Sequence, residues 1–150
     1  MSRYTEAPQE VLDVFEEVLD EYFPELRNCY IKILMDSKKR KSKGSYTFAS
    51  IKKLNDREKY LSIDNHAPNG YDYLMVIDGN IWGNITKDDK VRIIRHELRH
   101  VDINTEKKDP YQIVDHDVND FMEEIKLNKD DPEWSVRVTD IASSIYEKDK

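Results

Sequence analysis

Two histidines and a glutamate form the one stretch whose spacing points directly to chemistry, His-Glu-Leu-Arg-His at residues 96–100. On a helix, His96 and His100 project from the same face about one turn apart, so both imidazoles can reach one zinc ion. Glu97 could take a proton from metal-bound water and pass it to a leaving group. The alternative is a pair of surface histidines bonded to nearby carboxylates. The spacing favours a metal site that activates water for hydrolysis.

A catalytic zinc ion usually has three protein ligands and one water. The metzincin arrangement would need a glycine at position 103 and a ligand at position 106, but this chain has Ile103 and Glu106. The next histidine is His116, and the fifteen residues after His100 give the chain room to leave one helix and return. His116 is therefore the predicted third ligand. Its rivals are the carboxylates that follow it: Asp117, Asp120, Glu123 and Glu124.

Supporting groups are harder to assign from sequence. A metal-bound imidazole usually donates its second N–H to a carboxylate or a carbonyl. The candidate carboxylates are Asp102, Asp115, Asp117 and Asp120, with Asp117 preferred because it adjoins His116. A second electrophile could come from Tyr111, Tyr73 or His66, although the turn around His66 is more typical of plain surface.

Hydrophobic periodicity predicts an α+β fold in which an N-terminal helix precedes a small sheet of three to four strands and three further helices. The first helix runs from Pro8 to about Pro24. Strands are expected at 29–35, 45–54, 59–63 and 71–77, with a turn at 65–70. Helices are expected at 87–104 and 114–127, and a last one carries Trp134, Val138, Ile141 and Ile145.

The helix that carries the histidines has two distinct faces. One apolar stripe consists of Val91, Ile94, Leu98 and Val101. His96 and His100 flank Ile93 on roughly the opposite side, which predicts a half-buried cleft wall rather than open surface. The remaining face carries Arg92, Arg95 and Arg99 and is expected to be exposed.

Length and composition bound the class of protein. The chain has 150 residues, which predicts one domain over 1–150. Its net charge of −7 argues against a general nucleic-acid coat. A single cysteine, Cys29, cannot form an internal disulfide, and no signal peptide or membrane span is recognisable. We therefore expect a soluble protein of a reducing compartment such as the cytoplasm.

A basic run stands out against this acidic background. It consists of Lys38, Lys39, Arg40, Lys41 and Lys43, followed by Lys52 and Lys53. Such a loop could contact phosphates, and the three arginines of the metal-site helix could extend it. The simpler interpretation is a solvated loop, because no aromatic residue lies inside the run to stack on bases.

The HELRH motif and the later segment His116-Asp117-Val118-Asn119-Asp120-Phe121 together resemble the SprT-like zinc metallopeptidases. The similarity is greater to the small phage metallopeptidases related to them, and it covers roughly residues 8–127. It implies a minimal zincin-like fold, zinc bound by His96, His100 and His116, and Glu97 as general base. The sequence departs from the SprT-like pattern at Asp117, where glycine is frequent.

Three functions follow as hypotheses. The first is a zinc-dependent peptidase that acts on a protein or peptide substrate, in the host cytoplasm if the gene belongs to a phage, with the strand at 71–77 offering its edge to the substrate. The second is a non-catalytic nucleic-acid-associated module with a structural metal and a basic loop at 38–43. The third is a metal-dependent hydrolase of a non-peptide bond.

Overall fold

The computed structural model describes residues 2–42, 44–115 and 120–147, and it confirms the α+β class. In chain order the elements are β1 (Tyr4–Glu6), α1 (Gln9–Tyr22), β2 (Ile31–Asp36), β3 (Lys41–Ser42), β4 (Ser45–Tyr46), β5 (Ala49–Lys53), α2 (Asp56–Leu61), β6 (Tyr73–Asp78), α3 (Gly79–Trp82), α4 (Lys87–Leu98), β7 (Val101–Ile103), β8 (Tyr111–Ile113), α5 (Met122–Leu127) and α6 (Trp134–Tyr146). None of these helices is long and apolar enough to cross a bilayer.

The predicted N-terminal helix is confirmed as α1, and one of its faces is an apolar stripe. Val11, Val14, Phe15, Val18 and Leu19 are buried in the main hydrophobic core. The helix ends at Tyr22, because Pro24 cannot continue it and instead starts a single 3-10 turn. This stripe packs α1 against α4, which fixes the position of the histidine-bearing helix.

The main sheet has the strand order β1-β2-β6-β5. Strand β6 pairs in parallel with β2 and antiparallel with β5, and Tyr73, Met75 and Ile77 are buried along it. Because both of its edges are paired, the prediction that this strand offers an edge to a peptide is wrong. The terminal strand beside α4 is β5.

Two strand predictions were wrong in part. The segment 59–63 overlaps helix α2, which begins with a capping box. The side chain of Asn55 accepts a hydrogen bond from the backbone N–H of Glu58, and the side chain of Glu58 accepts one from the backbone N–H of Asn55. The segment 45–54 is two strands, β4 and β5, separated by Thr47 and Phe48. Strand β4 pairs with β3 across a tight turn at Gly44, whose φ of +83° favours glycine.

The region after the histidine helix differs most from the prediction. Helix α4 ends at Leu98 instead of continuing to 104, and the chain forms an antiparallel hairpin of β7 and β8. Likewise, within the segment predicted as helix 114–127, the described residues (114–115 and 120–127) are helical only in α5. The β-branched side chains of Val101, Ile103 and Ile113 suit strands, and Tyr73 holds the hairpin by donating to the carbonyl of Gln112 at 2.9 Å.

Candidate metal centre

Helix α4 carries His96 and Glu97 in its last turn, and His100 follows directly after it. The helix begins at Thr86, whose hydroxyl accepts from the backbone N–H of Asp89. The backbone N–H of His100 donates to the carbonyl of Glu97 at 3.1 Å, which continues the helical turn. One ligand atom from each of His96, Glu97 and His100 lies within 4.8 Å of the others. The structure thus brings together the three residues of the motif.

Each imidazole ring is oriented through its Nδ1 atom. His96 Nδ1 donates to Asp120 Oδ1 at 2.7 Å, and His100 Nδ1 donates to the carbonyl of Val114 at 2.6 Å. These are the partners that metal-bound histidines usually have. Because Nδ1 of each ring donates a hydrogen bond, Nε2 is the nitrogen through which each ring would bind a metal ion.

The protonation of the cluster is set mainly by burial. Burial raises the pKa of Glu97 to about 7, against smaller opposing effects of His96 and Arg40. Burial also lowers the pKa of His100 below its ordinary value, which favours the neutral ring that a metal needs. For His96, burial acts in the same direction, but the hydrogen bond to Asp120 and nearby carboxylates outweigh it and raise the pKa.

The donor set fits a divalent metal ion. Imidazoles such as these two are ligands typical of zinc and related transition metals, and an adjacent carboxylate can act on a metal-bound water. Glu97 is only 8% exposed, so it is shielded from bulk water while remaining beside the two rings. The predicted third ligand His116, and its neighbour Asp117, lie outside the described residues, and their role stays a prediction.

The rival third ligands have other partners. Asp120 bonds to His96, which makes it an orienting carboxylate of that ring. Glu124 is fully buried and accepts from Arg95 and Arg99. Glu123 is exposed on α5. Of the other proposed orienting carboxylates, Asp102 and Asp115 are both exposed, and the carbonyl of Val114 takes that role for His100.

A cleft of about 810 Å³ opens beside the cluster. His96, Glu97 and His100 line it, and so do residues of β5 and of α6. Its apolar wall consists of Phe48, Ile51, Ile93, Ile113, Ile125 and Trp134. The predicted cleft wall around Ile93 is therefore present, and this cleft could hold an extended ligand with an apolar side chain.

The candidate second electrophiles lie elsewhere. Tyr73 is fully buried, and its hydroxyl is bonded to the backbone of Gln112. Tyr111 packs edge-on against Tyr73 and lies under the ammonium group of Lys59. His66 is exposed in a turn. None of the three lines the cleft, so these predictions were wrong.

The basic run is only partly a surface feature. Lys38, Lys39 and Lys41 are exposed, and Lys43 lies outside the described residues. Arg40 instead turns inward, where Nη1 donates to Ser50 Oγ at 2.7 Å and Nη2 to the carbonyl of Val76 at 3.1 Å. Its Nε lies 3.3 Å from the buried carboxylate of Asp36. Arg40 therefore ties the loop to the sheet.

The arginines of α4 do not form an exposed face either. Arg92 and Arg95 have side chains only 11% and 6% exposed, and Arg99 is half-buried. They bond to the carboxylates Asp89, Asp131 and Glu124. These three arginines cannot extend a phosphate-binding patch while they are paired in this way.

Sequence reasoning missed the role of Phe121. It stands at the N-cap of α5 and contacts both imidazoles. Its ring centroid lies 5.6 Å from that of His96 and 4.9 Å from that of His100. The one available signal was its place five residues after His116.

An α+β fold with a His-Glu-X-X-His segment beside an apolar cleft is the arrangement of a metal-dependent hydrolase. A family model described as "Putative phage metallopeptidase" matches residues 2–146, so the chain belongs to that family. The predicted resemblance to this family is thereby confirmed, whereas the wider link to SprT-like enzymes stays a prediction. Searches of curated proteins and of solved structures find no match.

Proposed function

We propose that the protein is a zinc-dependent metallopeptidase in which His96, His100 and His116 hold the metal ion and Glu97 is the general base. The observation that carries the proposal is the cluster of His96, Glu97 and His100, whose ligand atoms lie within 4.8 Å of one another at a cleft. The membership of a metallopeptidase family supports the same conclusion. The chemistry that zinc supplies when bound is Lewis acidity, which acidifies water and polarises a carbonyl.

Glu97 would move the protons of the reaction. A carboxylate with a pKa of about 7 in the metal-free protein can both accept a proton from the attacking water and return it to the leaving amine near neutral pH. The side chain is buried beside His96 and lines the cleft, so it lies close to where a metal-bound water would sit. Asp120 and the Val114 carbonyl would keep the two imidazoles in the tautomer that presents Nε2.

The terminal strand β5 would hold the substrate backbone. It pairs with β6 along one edge, and its residues Ala49, Ser50 and Ile51 also line the cleft. An extended peptide could add to the other edge by backbone hydrogen bonds, which is a common mode of peptide recognition. The apolar wall with Phe48 and Trp134 would then receive one side chain next to the scissile bond.

The test separates metal binding from catalysis. Protein purified without added metal or a histidine tag should contain one zinc per chain, and His96→Ala and His116→Ala should both lose it. Glu97→Gln should keep zinc but lose about 10²–10⁴-fold in cleavage of a fluorescence-quenched peptide library. The matched control is Glu123→Gln, an exposed glutamate of α5, which should keep both.

The outcomes discriminate between the candidates. Zinc retained in His116→Ala would move the third ligand to another group. Absence of tightly bound metal after zinc is supplied would exclude the enzyme. Zinc-loaded protein that cleaves no peptide but hydrolyses another class of ester or amide would favour the non-peptide hydrolase.

We place the activity in the host cytoplasm, in line with the phage family and the single cysteine.

We also propose a weak nucleic-acid contact through the basic loop, for which the exposed side chains of Lys38, Lys39 and Lys41 are the support. Phosphate contacts release counterions, so binding of a short DNA duplex should weaken steeply with salt. Neutralising these three lysines should abolish that binding and leave peptide cleavage unchanged. Binding that is insensitive to salt or to these lysines would exclude the contact.

A further inference from the structure

Glu124 is a fully buried carboxylate that the proposed chemistry does not use. It lies on α5 and accepts from Arg95 Nε at 2.6 Å and from Arg99 Nε at 2.8 Å. Each of these arginines directly precedes one of the two histidines in the sequence. Burial of a charge is costly unless it is paired, so the two arginine partners offset the cost of burying this carboxylate.

The two arginines are themselves fixed from the opposite side by α1 and the turn after it. The guanidinium carbon of Arg95 lies 4.9 Å from the ring centroid of Tyr22, and that of Arg99 lies 4.6 Å from that of Phe23. Such cation–π contacts restrict long side chains that would otherwise sample many rotamers. Glu124 therefore meets two donors whose positions are largely set by the core.

Helix α5 connects this ion pair to the histidines within one helical turn. The backbone N–H of Ile125 donates to the carbonyl of Phe121 at 2.9 Å, so Phe121 and Glu124 belong to the same turn. Phe121 contacts both imidazole rings, and the preceding Asp120 accepts from His96 Nδ1. Asp120 Oδ1 also accepts from the backbone N–H of Phe121 at 2.7 Å. A shift of Glu124 would thus move Asp120, which orients His96, and Phe121, which packs against both rings.

We infer that Glu124 is a positioning residue of the metal site, which fixes Asp120 and Phe121 against His96 and His100 by its two ion pairs with Arg95 and Arg99. This inference rests on the proposed function, because it assigns the ion pairs to the geometry of the proposed metal ligands. The inference also extends the proposed function, because it makes the metal affinity depend on Glu124, which is neither a proposed metal ligand nor a residue that lines the cleft. Groups that orient metal ligands commonly change metal affinity by about 10–100-fold when they are removed.

Asp89, a buried carboxylate on helix α4, provides a matched control. It too is fully buried and bridges two arginines, with Arg92 Nη1 at 2.9 Å and Arg137 Nη2 at 2.6 Å. Arg137 belongs to α6, so this carboxylate holds a different helix. Within the described part of the chain, its side chain bonds to Arg92 and Arg137, neither of which stacks on a histidine ring. Asp89→Asn should therefore destabilise the protein without changing its metal site.

The experiment compares metal binding to the full chain in three proteins at 10 °C, where circular dichroism must show each to be folded. Wild type and Asp89→Asn should bind one zinc ion with equal affinity by competition with a chromophoric chelator. Glu124→Gln should bind at least tenfold more weakly. Cobalt(II) loaded in place of zinc should give the same visible spectrum in wild type and Asp89→Asn, and a different one in Glu124→Gln, because the visible bands report ligand geometry.

A second variant covers the case in which Glu124→Gln does not fold. Arg99→Lys keeps the charge but loses the directed Nε–H bond, and it should weaken zinc binding by about threefold with a changed cobalt spectrum. Wild-type affinity and spectrum in Glu124→Gln or Arg99→Lys would overturn the inference, as would equal weakening in Asp89→Asn. Absence of metal from the wild type would instead refute the proposed function, and that result depends on the wild type alone.

Discussion

Two buried carboxylates use the same ionic arrangement at the two ends of one helix. Asp89, in the first turn of α4, bridges Arg92 and Arg137, whereas Glu124 bridges Arg95 and Arg99 near its last turn. Both carboxylates are fully buried. The difference lies in what each one holds, since Asp89 fixes α6 and Glu124 fixes the start of α5. Similar ion pairs in one protein can therefore serve packing at one place and a metal site at another.

The surroundings of the two carboxylates also differ in solvent access. The side chain of Arg137 is 42% exposed, whereas that of Arg95 is 6% exposed and that of Arg99 is 23% exposed. A buried pair is costly to break because the remaining charge cannot return to water. Water can reach Arg137 once Asp89 is neutralised. We therefore expect that removing the charge of Glu124 destabilises the protein more than removing the charge of Asp89.

The largest expected effect is on stability. Glu124→Gln should lower the free energy of unfolding by about 3–5 kcal/mol, because it leaves two arginines without their shared counter-ion in the interior. Asp89→Asn should lower it by about 2 kcal/mol, since hydration of Arg137 offsets part of the loss. Urea denaturation of the metal-free proteins measures both. Equal losses would show that the exposure of Arg137 does not matter.

The next effect concerns the link between the two sets of ion pairs. Asn128 Oδ1 accepts from Arg92 Nε at 3.3 Å and also from Arg95, so it connects them. In a double-mutant cycle, Asp89→Asn and Glu124→Gln should show an interaction energy of about 0.5–1 kcal/mol. The same cycle in an Asn128→Ala background should give an interaction energy near zero. Strict additivity in the presence of Asn128 would show that the two regions are independent.

The smallest effect is the acid dependence that Asp131, a partner of Arg92 and Arg137, contributes in the Asp89 region. The hydrogen bond from Arg137 lowers the pKa of Asp131 below its ordinary value of 3.8. A carboxylate with a lowered pKa in the folded state stabilises the protein above its unfolded pKa, and this stabilisation is lost as the pH falls towards the folded pKa. The urea midpoint of wild type should therefore fall more between pH 5 and pH 3 than that of Asp131→Asn. The matched variant Asp130→Asn, an exposed neighbour, should behave as wild type.

The comparison also shows what the sequence could indicate. The α+β class, the first helix, the apolar strand at 71–77 and a helix that carries His96 and Glu97 follow from local periodicity. The structure has all four, although α4 ends at Leu98, before it reaches His100. The pairing of Glu124 with Arg95 and Arg99 spans 25–29 residues, and no local pattern encodes it. Arginines every few residues on a helix look like a solvated face until their distant carboxylates are known.

Local ambiguity explains the remaining errors. Residues 101–104 continue the apolar spacing of α4, but the β-branched residues of 101–103 pair with 111–113 as a hairpin because Tyr73 binds the far strand. The predicted strand at 59–63 overlaps helix α2, although the capping box of that helix at Asn55 is visible in the sequence. The orienting partner of His100 is a backbone carbonyl, which no residue type could reveal.

The hydrogen bond from His100 to the backbone carbonyl of Val114 limits where the chain can accept insertions. His100 and Val114 bond reciprocally, since the N–H of Val114 donates to the carbonyl of His100 at 2.7 Å and His100 Nδ1 donates back at 2.6 Å. The paired strands β7 and β8 set this meeting point, and a one-residue slip would reverse every side chain in them. The exposed stretch 105–109 at the tip bears no such constraint. Peptide tags or reporter sequences inserted there should leave the imidazoles undisturbed, whereas lengthening either strand should not.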